Sequence, residues 1–208
     1  MSKDVEVVLF DSIKDDAILK KSKEIVDVSI SQLGDSGILE MLPVVSFAVK
    51  ANKIIIDVRH QLFLKRILYF LTEIADASYE IREKFYFKHN NPAEIHHIGL
   101  AILELIDKSD KEKTSLIGKL FLSHLKEEID FHDFTTASQM INASYSSDLI
   151  YFVRQANKKI DETGDEVEHL ISLGFYTRMK YRFGSSVIEE TQPILTDIAK
   201  RILKAVNI

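Results

Sequence analysis

Residues 36–75 read SGILEMLPVVSFAVKANKIIIDVRHQLFLKRILYFLTEIA, the most apolar stretch of the chain. Gly37 to Val49 carries a single charge, Glu40, and Pro43 lies inside the run. A proline ends a helix or opens one at its first turn. This predicts a short helical turn over Ile38–Leu42 and a new helix from Pro43. Val44, Ala48, Ala51, Ile55 and Val58 then recur at helical spacing, widened by Val45, Val49 and Ile56. Beyond His60, the residues Leu64, Ile67, Leu68, Leu71, Ile74 and Ala75 repeat that face. The β-branched run Ile54-Ile55-Ile56 gives strand as the competing local reading. Helix is preferred because faces of period 3.6 continue on both sides.

A helix that crosses a bilayer needs about 20 mostly apolar residues. Lys50, Lys53, Asp57, Arg59, Lys65 and Arg66 interrupt every such window, so a constitutive span is not expected. Two readings stay open for the apolar part. It forms central core helices, or it is buried at rest and released to lipid or to a partner protein by a trigger. Leu42, Pro43, Val44, Val45, Phe47 and Val49 are the candidate contact residues of the second reading. An exposed patch of this kind does not remain in water, and Lys50 and Lys53 would then meet anionic headgroups.

Outward from this stretch, the 208 residues suffice for one large domain or two small ones. A helical domain over 1–145 and a C-terminal module over 146–208 are expected. With no cysteine, disulfide scaffolds, thiolate zinc sites and cysteine nucleophiles are excluded. The net charge of −5 gives no chain-wide basic footprint for nucleic acid. The opening MSKDVEVVLFDSIKDD lacks the basic-then-apolar order of a secretory leader. A cytoplasmic location is the expectation, with membrane association on activation. Three prolines and seven glycines leave a composition that favours helix.

Along the chain, Asp4–Phe10 reads as a strand or a helix start. Ser12 and Asp15–Asp16 supply caps and first-turn acids for a helix to about Leu33. Ser78 caps a helix over Tyr79–Phe87. Asn91 with Pro92 opens one to about Ile106, a polar link over Asp107–Asp110 follows, and another helix runs from Lys111 to Ile129. Asp130 caps Phe131–Asn142, and Ser146 or Ser147 caps a helix from Asp148 to about Lys158. Asp161–Phe175 is a helix stopped at Gly174. Tyr176–Ile188 reads as a hairpin turning at Gly184-Ser185-Ser186, and Pro193 opens a last helix to Val206. The expected fold class is mostly α, an orthogonal multi-helix array with a small β-hairpin near the C-terminus.

Catalytic and metal motifs are sparse. His96 and His97 are adjacent, hence about 100° apart on a helix, whereas helical zinc sites place histidines at i, i+4 with a third ligand. The seven histidines are therefore expected at the surface or in loops, with no metal and no cofactor. Carboxylate pairs such as Glu127-Glu128 and Glu189-Glu190 read as solvated faces. No phosphate-loop, dinucleotide or nucleophile-elbow motif occurs, and a non-enzymatic protein is expected. From Gly174 onward, six basic residues stand against three acidic ones. Arg178, Lys180 and Arg182 form a candidate basic wing. The preceding helix carries Asp161, Glu162, Asp165, Glu166 and Glu168, which would repel phosphates, so protein docking is preferred to nucleic acid.

Two resemblances accompany these residues. The order of Leu170-Ile171-Ser172-Leu173-Gly174-Phe175, a hairpin, and Leu195-Thr196 opening a final helix resembles the end of a winged helix, over Asp161–Ile208 only. Leu39-Glu40-Met41-Leu42-Pro43-Val44, Arg59-His60-Gln61-Leu62-Phe63-Leu64-Lys65-Arg66 and Leu116-Ile117-Gly118-Lys119-Leu120-Phe121 resemble motifs of an uncharacterised family of small helical bacterial proteins, linked with mobile elements and phage defence. The resemblance supplies context rather than an activity; the leading expectation is a non-enzymatic bacterial interaction protein, in its specific form an abortive-infection effector whose apolar segment 37–49 acts on a membrane once a partner, such as a phage protein, is sensed. A winged-helix DNA-binding regulator and a structural adaptor are the alternatives. Self-association into a homo-oligomer is a further expectation.

Overall fold

The helical periodicity of the sequence forms ten helices among the described residues of the computed structural model. Those residues are 4–28, 58–155, 165–178, 180–183, 187–190 and 193–206. The candidate segment with Leu42, Pro43, Val44, Val45, Phe47 and Val49 lies outside them, as does the Ile54–Ile56 run. Contacts divide the chain into two units, Met1–Glu128 and Ile129–Ile208.

The first unit holds α1 (Val5–Lys14), α2 (Asp16–Ile25), α3 (Val58–Ile74), α4 (Tyr79–Lys88), α5 (Pro92–Asp107) and α6 (Lys111–Leu125). The ambiguous opening is helix, because the buried set Val8, Leu9, Phe10 and Ile13 follows helical spacing. Ser12 is not a cap. It sits inside α1 and its Oγ donates to the Val8 carbonyl at 2.7 Å. Asp15 caps α2, accepting from Ala17 N at 2.9 Å. That helix stops at Ile25 rather than near Leu33. Val26, Asp27 and Val28 are poor helix formers, Val28 N turns back to the Ile25 carbonyl at 3.1 Å, and Lys65 Nζ donates to the Val28 carbonyl at 2.7 Å.

The part of the apolar stretch that lies in α3 is central to this unit. Leu64, Ile67, Leu68, Phe70, Leu71 and Ile74 are all buried, and α3 packs on α2, α5 and α6. Val58, expected on the same face, is 65% exposed at the start of the helix. Phe10, Phe85, Phe121 and Phe70 join four helices in a row, with successive ring centroids 5.6, 5.6 and 5.4 Å apart. Offset and edge-on geometry of this kind adds to area burial.

Caps fix the remaining boundaries. Ser78 Oγ accepts from Ile81 N, Asn91 Oδ1 from Ala93 N with Pro92 in the first turn, and Asp110 Oδ1 from Lys113 N. Helix α6 ends at Leu125, short of Ile129. Glu127 adopts φ +60°, and Glu127 N and Glu128 N donate back to the carbonyls of His124 and Ser123. Such a closure usually employs glycine.

The second unit holds α7 (Phe131–Ala143), α8 (Ser146–Gln155), α9 (Asp165–Ser172), β1 (Tyr176–Thr177), β2 (Lys180–Phe183), β3 (Val187–Glu190), β4 (Ile194–Leu195) and α10 (Asp197–Ala205). Asp130 caps α7 through Asp133 N at 2.7 Å. Helix α8 starts at Ser146 itself, so Asp148 falls in its first turn and is buried. Helix α9 closes as expected at Gly174, φ +87°. Phe175 N donates to the Leu170 carbonyl and Gly174 N to that of Ile171.

The hairpin pairs β2 with β3 antiparallel, Lys180 opposite Glu190 and Phe183 opposite Val187. A second short ladder pairs β1 with β4, Tyr176 opposite Leu195. Pro193 therefore precedes a strand instead of opening a helix. Thr196 is the cap of α10. Its Oγ1 accepts from Ala199 N at 3.3 Å and donates to the Gly174 carbonyl at 2.7 Å. Phe152 meets Phe175 edge-on at 4.7 Å in this unit's core, and Val167, Leu170 and Ile202 are buried as well.

Candidate functional site: a cationic cleft along the third helix

One face of α3 goes into the core, and another lines a cavity of about 650 Å³. Arg59, Leu62, Lys65 with its neighbour Arg66, and Tyr69 recur about one helical turn apart, which places them on one side. The opposite wall is the junction of α5 and α6, Asp107 to Lys111.

That junction is tied to α3 by Arg66. Arg66 Nη1 donates to the carbonyls of Asp107 and Ser109, each at 2.7 Å, and Nη2 reaches Asp107 Oδ1 at 3.3 Å. These groups lie at the C-terminal end of α5, where unsatisfied carbonyls favour a cation. The link is not fully solvated: Ser109 is buried, its Oγ donating to the Ile106 carbonyl at 2.8 Å and lying 2.6 Å from Thr114 Oγ1. Lys111 Nζ stands 4.9 Å from the centre of the Tyr69 ring, a cation–π contact.

The cleft carries four cationic residues against two carboxylates, and both carboxylates are engaged in the fold. Asp107 takes Arg66, and Asp110 caps α6. Arg59 and Lys111 are exposed, and Leu62, 44% exposed, offers an apolar floor. The cleft thus presents cationic and apolar groups side by side. Arg59, Leu62, Lys65 and Arg66 belong to the motif over 59–66. Lys111 joins them only through the fold.

The candidate basic wing is distributed differently. Arg178 lies between β1 and β2, and its Nη2 is 2.5 Å from Glu168 Oε1 of α9. Lys180 and Arg182 stand two apart in β2, opposite Glu190 and Ile188. On α10, Lys200 pairs with Asp197 at 2.8 Å and Arg201 pairs with Asp133 of α7.

The histidines are not all in loops or at the surface. His124 is buried in α6, with its ring centroid 5.6 Å from that of Phe85, and His89 stacks 4.6 Å from the same ring while its Nδ1 meets Glu94 Oε1 at 2.6 Å. His169 Nδ1 lies 2.5 Å from Asp148 Oδ2, and Ser147 Oγ donates to Oδ1 of that carboxylate at 3.1 Å. His96 Nδ1 lies 2.6 Å from Glu6 Oε1, and with Asp4 these form a group able to hold a metal ion. Each pairing joins different helices or turns, so spacing along the chain carried no sign of it.

No helix among the described residues is long and apolar enough to cross a membrane. No family model, curated protein or solved structure matches the chain.

Proposed function

We propose that the protein is a non-enzymatic interaction protein, and that its first unit holds an acidic, partly apolar segment of a protein partner in the cleft along α3. The observation that carries this reading is the charge of the cleft: four cations line it, and its two carboxylates are occupied within the fold. Carboxylates of the partner meet Arg59 and Lys111, and its apolar side chains cover Leu62 and Tyr69. A nucleic acid is the less favoured occupant, because the chain as a whole is acidic, with a net charge of −5. The ion pairs of Arg178, Lys200 and Arg201 with neighbouring carboxylates likewise favour protein docking over a phosphate backbone for the second unit.

The motif resemblance at 39–44 and 59–66 gives phage defence as the context, and the single charge in Gly37–Val49 supports that run as the segment that meets a membrane after the partner is bound. Anisotropy of a labelled peptide rich in Glu and Leu, compared with its Lys and Leu counterpart, tests the docking step. The acidic peptide is expected to bind and the basic one to fail. Equal binding of both removes the charge-based reading. Dye release from anionic liposomes, with and without the acidic peptide, tests the effector step. Release that ignores the peptide, or none in either condition, separates docking from any membrane action.

A further inference from the structure

Glu6 and His96 meet because α1 packs along α5 at Gly99. A Cβ on Gly99 would stand 2.5 Å from the Glu6 carbonyl oxygen, so glycine permits the approach, one turn beyond His96 on the same face. The Glu6 side chain is only 11% exposed, and its Oε1 lies 2.6 Å from His96 Nδ1. Asp4 holds the N-cap position of α1, yet its carboxylate makes no capping hydrogen bond. Instead, one ligand atom from each of Asp4, Glu6 and His96 lies within 4.8 Å of the others.

We propose that Asp4, Glu6 and His96 form a three-ligand site for a divalent transition-metal cation of the zinc type, with water completing its coordination. One imidazole nitrogen and two carboxylate oxygens are donors that zinc accepts, and no thiolate is required. Metal–ligand bonds of about 2.1 Å put the ligand atoms of a tetrahedral site about 3.4 Å apart. The Glu6–His96 contact opens by less than about 1 Å to reach that geometry, and the other separations close by no more than about 1.4 Å. Asp4 is exposed and His96 is 52% exposed in its side chain, so rotation about their side-chain bonds supplies both movements while buried Glu6 stays in place. Two neighbouring carboxylates repel each other, and a dication between them removes that repulsion. The positive end of α1 opposes a cation, and the two carboxylates outweigh it. Occupancy ties the start of α1 to α5 and stabilises the first unit by mass action. This site is separate from the cleft, and neither depends on the other.

The test is calorimetric titration of the untagged, chelator-treated full chain with zinc sulfate, alongside cobalt(II) titration followed by visible absorption. One zinc per chain is expected, together with a rise in thermal midpoint on saturation. His96→Gln and Asp4→Asn are each expected to weaken binding at least ~10-fold. His97→Gln, about 100° around the helix, is expected to leave it unchanged. Asp4 and His96 are exposed, so circular dichroism of these variants is expected to match the parent. Absence of saturable binding overturns the proposal, as does a stoichiometric site that survives both His96→Gln and Asp4→Asn in folded protein.

Discussion

Arg82 Nη1 donates to the Lys14 carbonyl at 3.1 Å, closing the end of α1 with a side chain from α4. The same guanidinium reaches the carbonyls of Ile13 at 3.3 Å and Ala77 at 3.2 Å, and pairs with Asp16. The Arg82 side chain is 4% exposed and that of Asp16 is 66% exposed. Its worth lies in satisfying buried carbonyls more than in the ion pair. Arg82→Ala is expected to destabilise the protein by about 3 kcal/mol, because unsatisfied acceptors remain. Asp16→Asn removes only an exposed partner and is expected to change stability by less than about 1 kcal/mol. Urea unfolding followed by circular dichroism distinguishes the two.

Two helical glycines respond differently to a methyl group. At Gly99 the obstacle is backbone, the Glu6 carbonyl oxygen at 2.5 Å. At Gly118 the nearest atoms are Glu73 Cβ at 2.8 Å and Cγ at 2.9 Å, with the Phe70 carbonyl oxygen at 3.2 Å. Gly99→Ala is expected to cost about 1–3 kcal/mol. Gly118→Ala is expected to lose less, because its nearest clash is shallower, 2.8 Å against 2.5 Å, although Glu73 Cβ is fixed by the α3 backbone and the two helices must part slightly. Thermal unfolding of both variants checks the order.

Glu127 supplies a pH-dependent contribution. Hydrogen bonds from Lys84 and Lys88, then their charges, lower its carboxyl from 4.5 to about 2. Because the folded value lies below the unfolded one, the stabilisation is full above the ordinary carboxylate range and is lost as pH falls toward 2. Glu127→Gln is expected to lose stability at neutral pH and to converge with the parent near pH 2. The gap at neutral pH is expected to shrink in high salt, because these groups are exposed. Unfolding curves at stepped pH measure this.

The second unit is expected to bind DNA weakly and without sequence preference at physiological salt. Asp165, Glu166 and Glu168 on α9 are exposed, and Arg178 is paired with Glu168. Anisotropy across a salt series checks it. Tight binding at physiological salt that falls with Arg178→Ala and Arg182→Ala would favour a regulator.

Local chemistry was legible in the sequence where one residue acts on its near neighbours. Ser78, Asn91 with Pro92, Asp130 and Gly174 each mark a helix end that the fold keeps. Short-range rules failed where tertiary contacts decide. Glu127 takes a left-handed conformation that pattern reading assigns to glycine, in a turn held by two lysines of α4. Pro193 resembled a helix opener, and a strand pairing with β1 took its place. Of the cleft, the residues of the α3 face stood in the sequence only as charges that break the apolar run and as part of the 59–66 motif, with no sign that they share a wall. Its facing wall was hidden, because only the packing of α3 on α5 and α6 brings Asp107 to Lys111 opposite it. Glu6 beside His96 was hidden for the same reason.

Charge reversal in the cleft bears most directly on the proposed docking of an acidic partner segment. Arg59 and Lys111 are both exposed, so Arg59→Glu with Lys111→Glu is expected to fold like the parent by circular dichroism. In anisotropy titrations with the labelled Glu/Leu and Lys/Leu peptides, the double variant is expected to lose the acidic peptide by at least ~10-fold and to gain the basic one. Arg178→Glu, in the other unit, is expected to leave both titrations unchanged. A double variant that is folded and still binds the acidic peptide as tightly as the parent would contradict the assignment of the cleft.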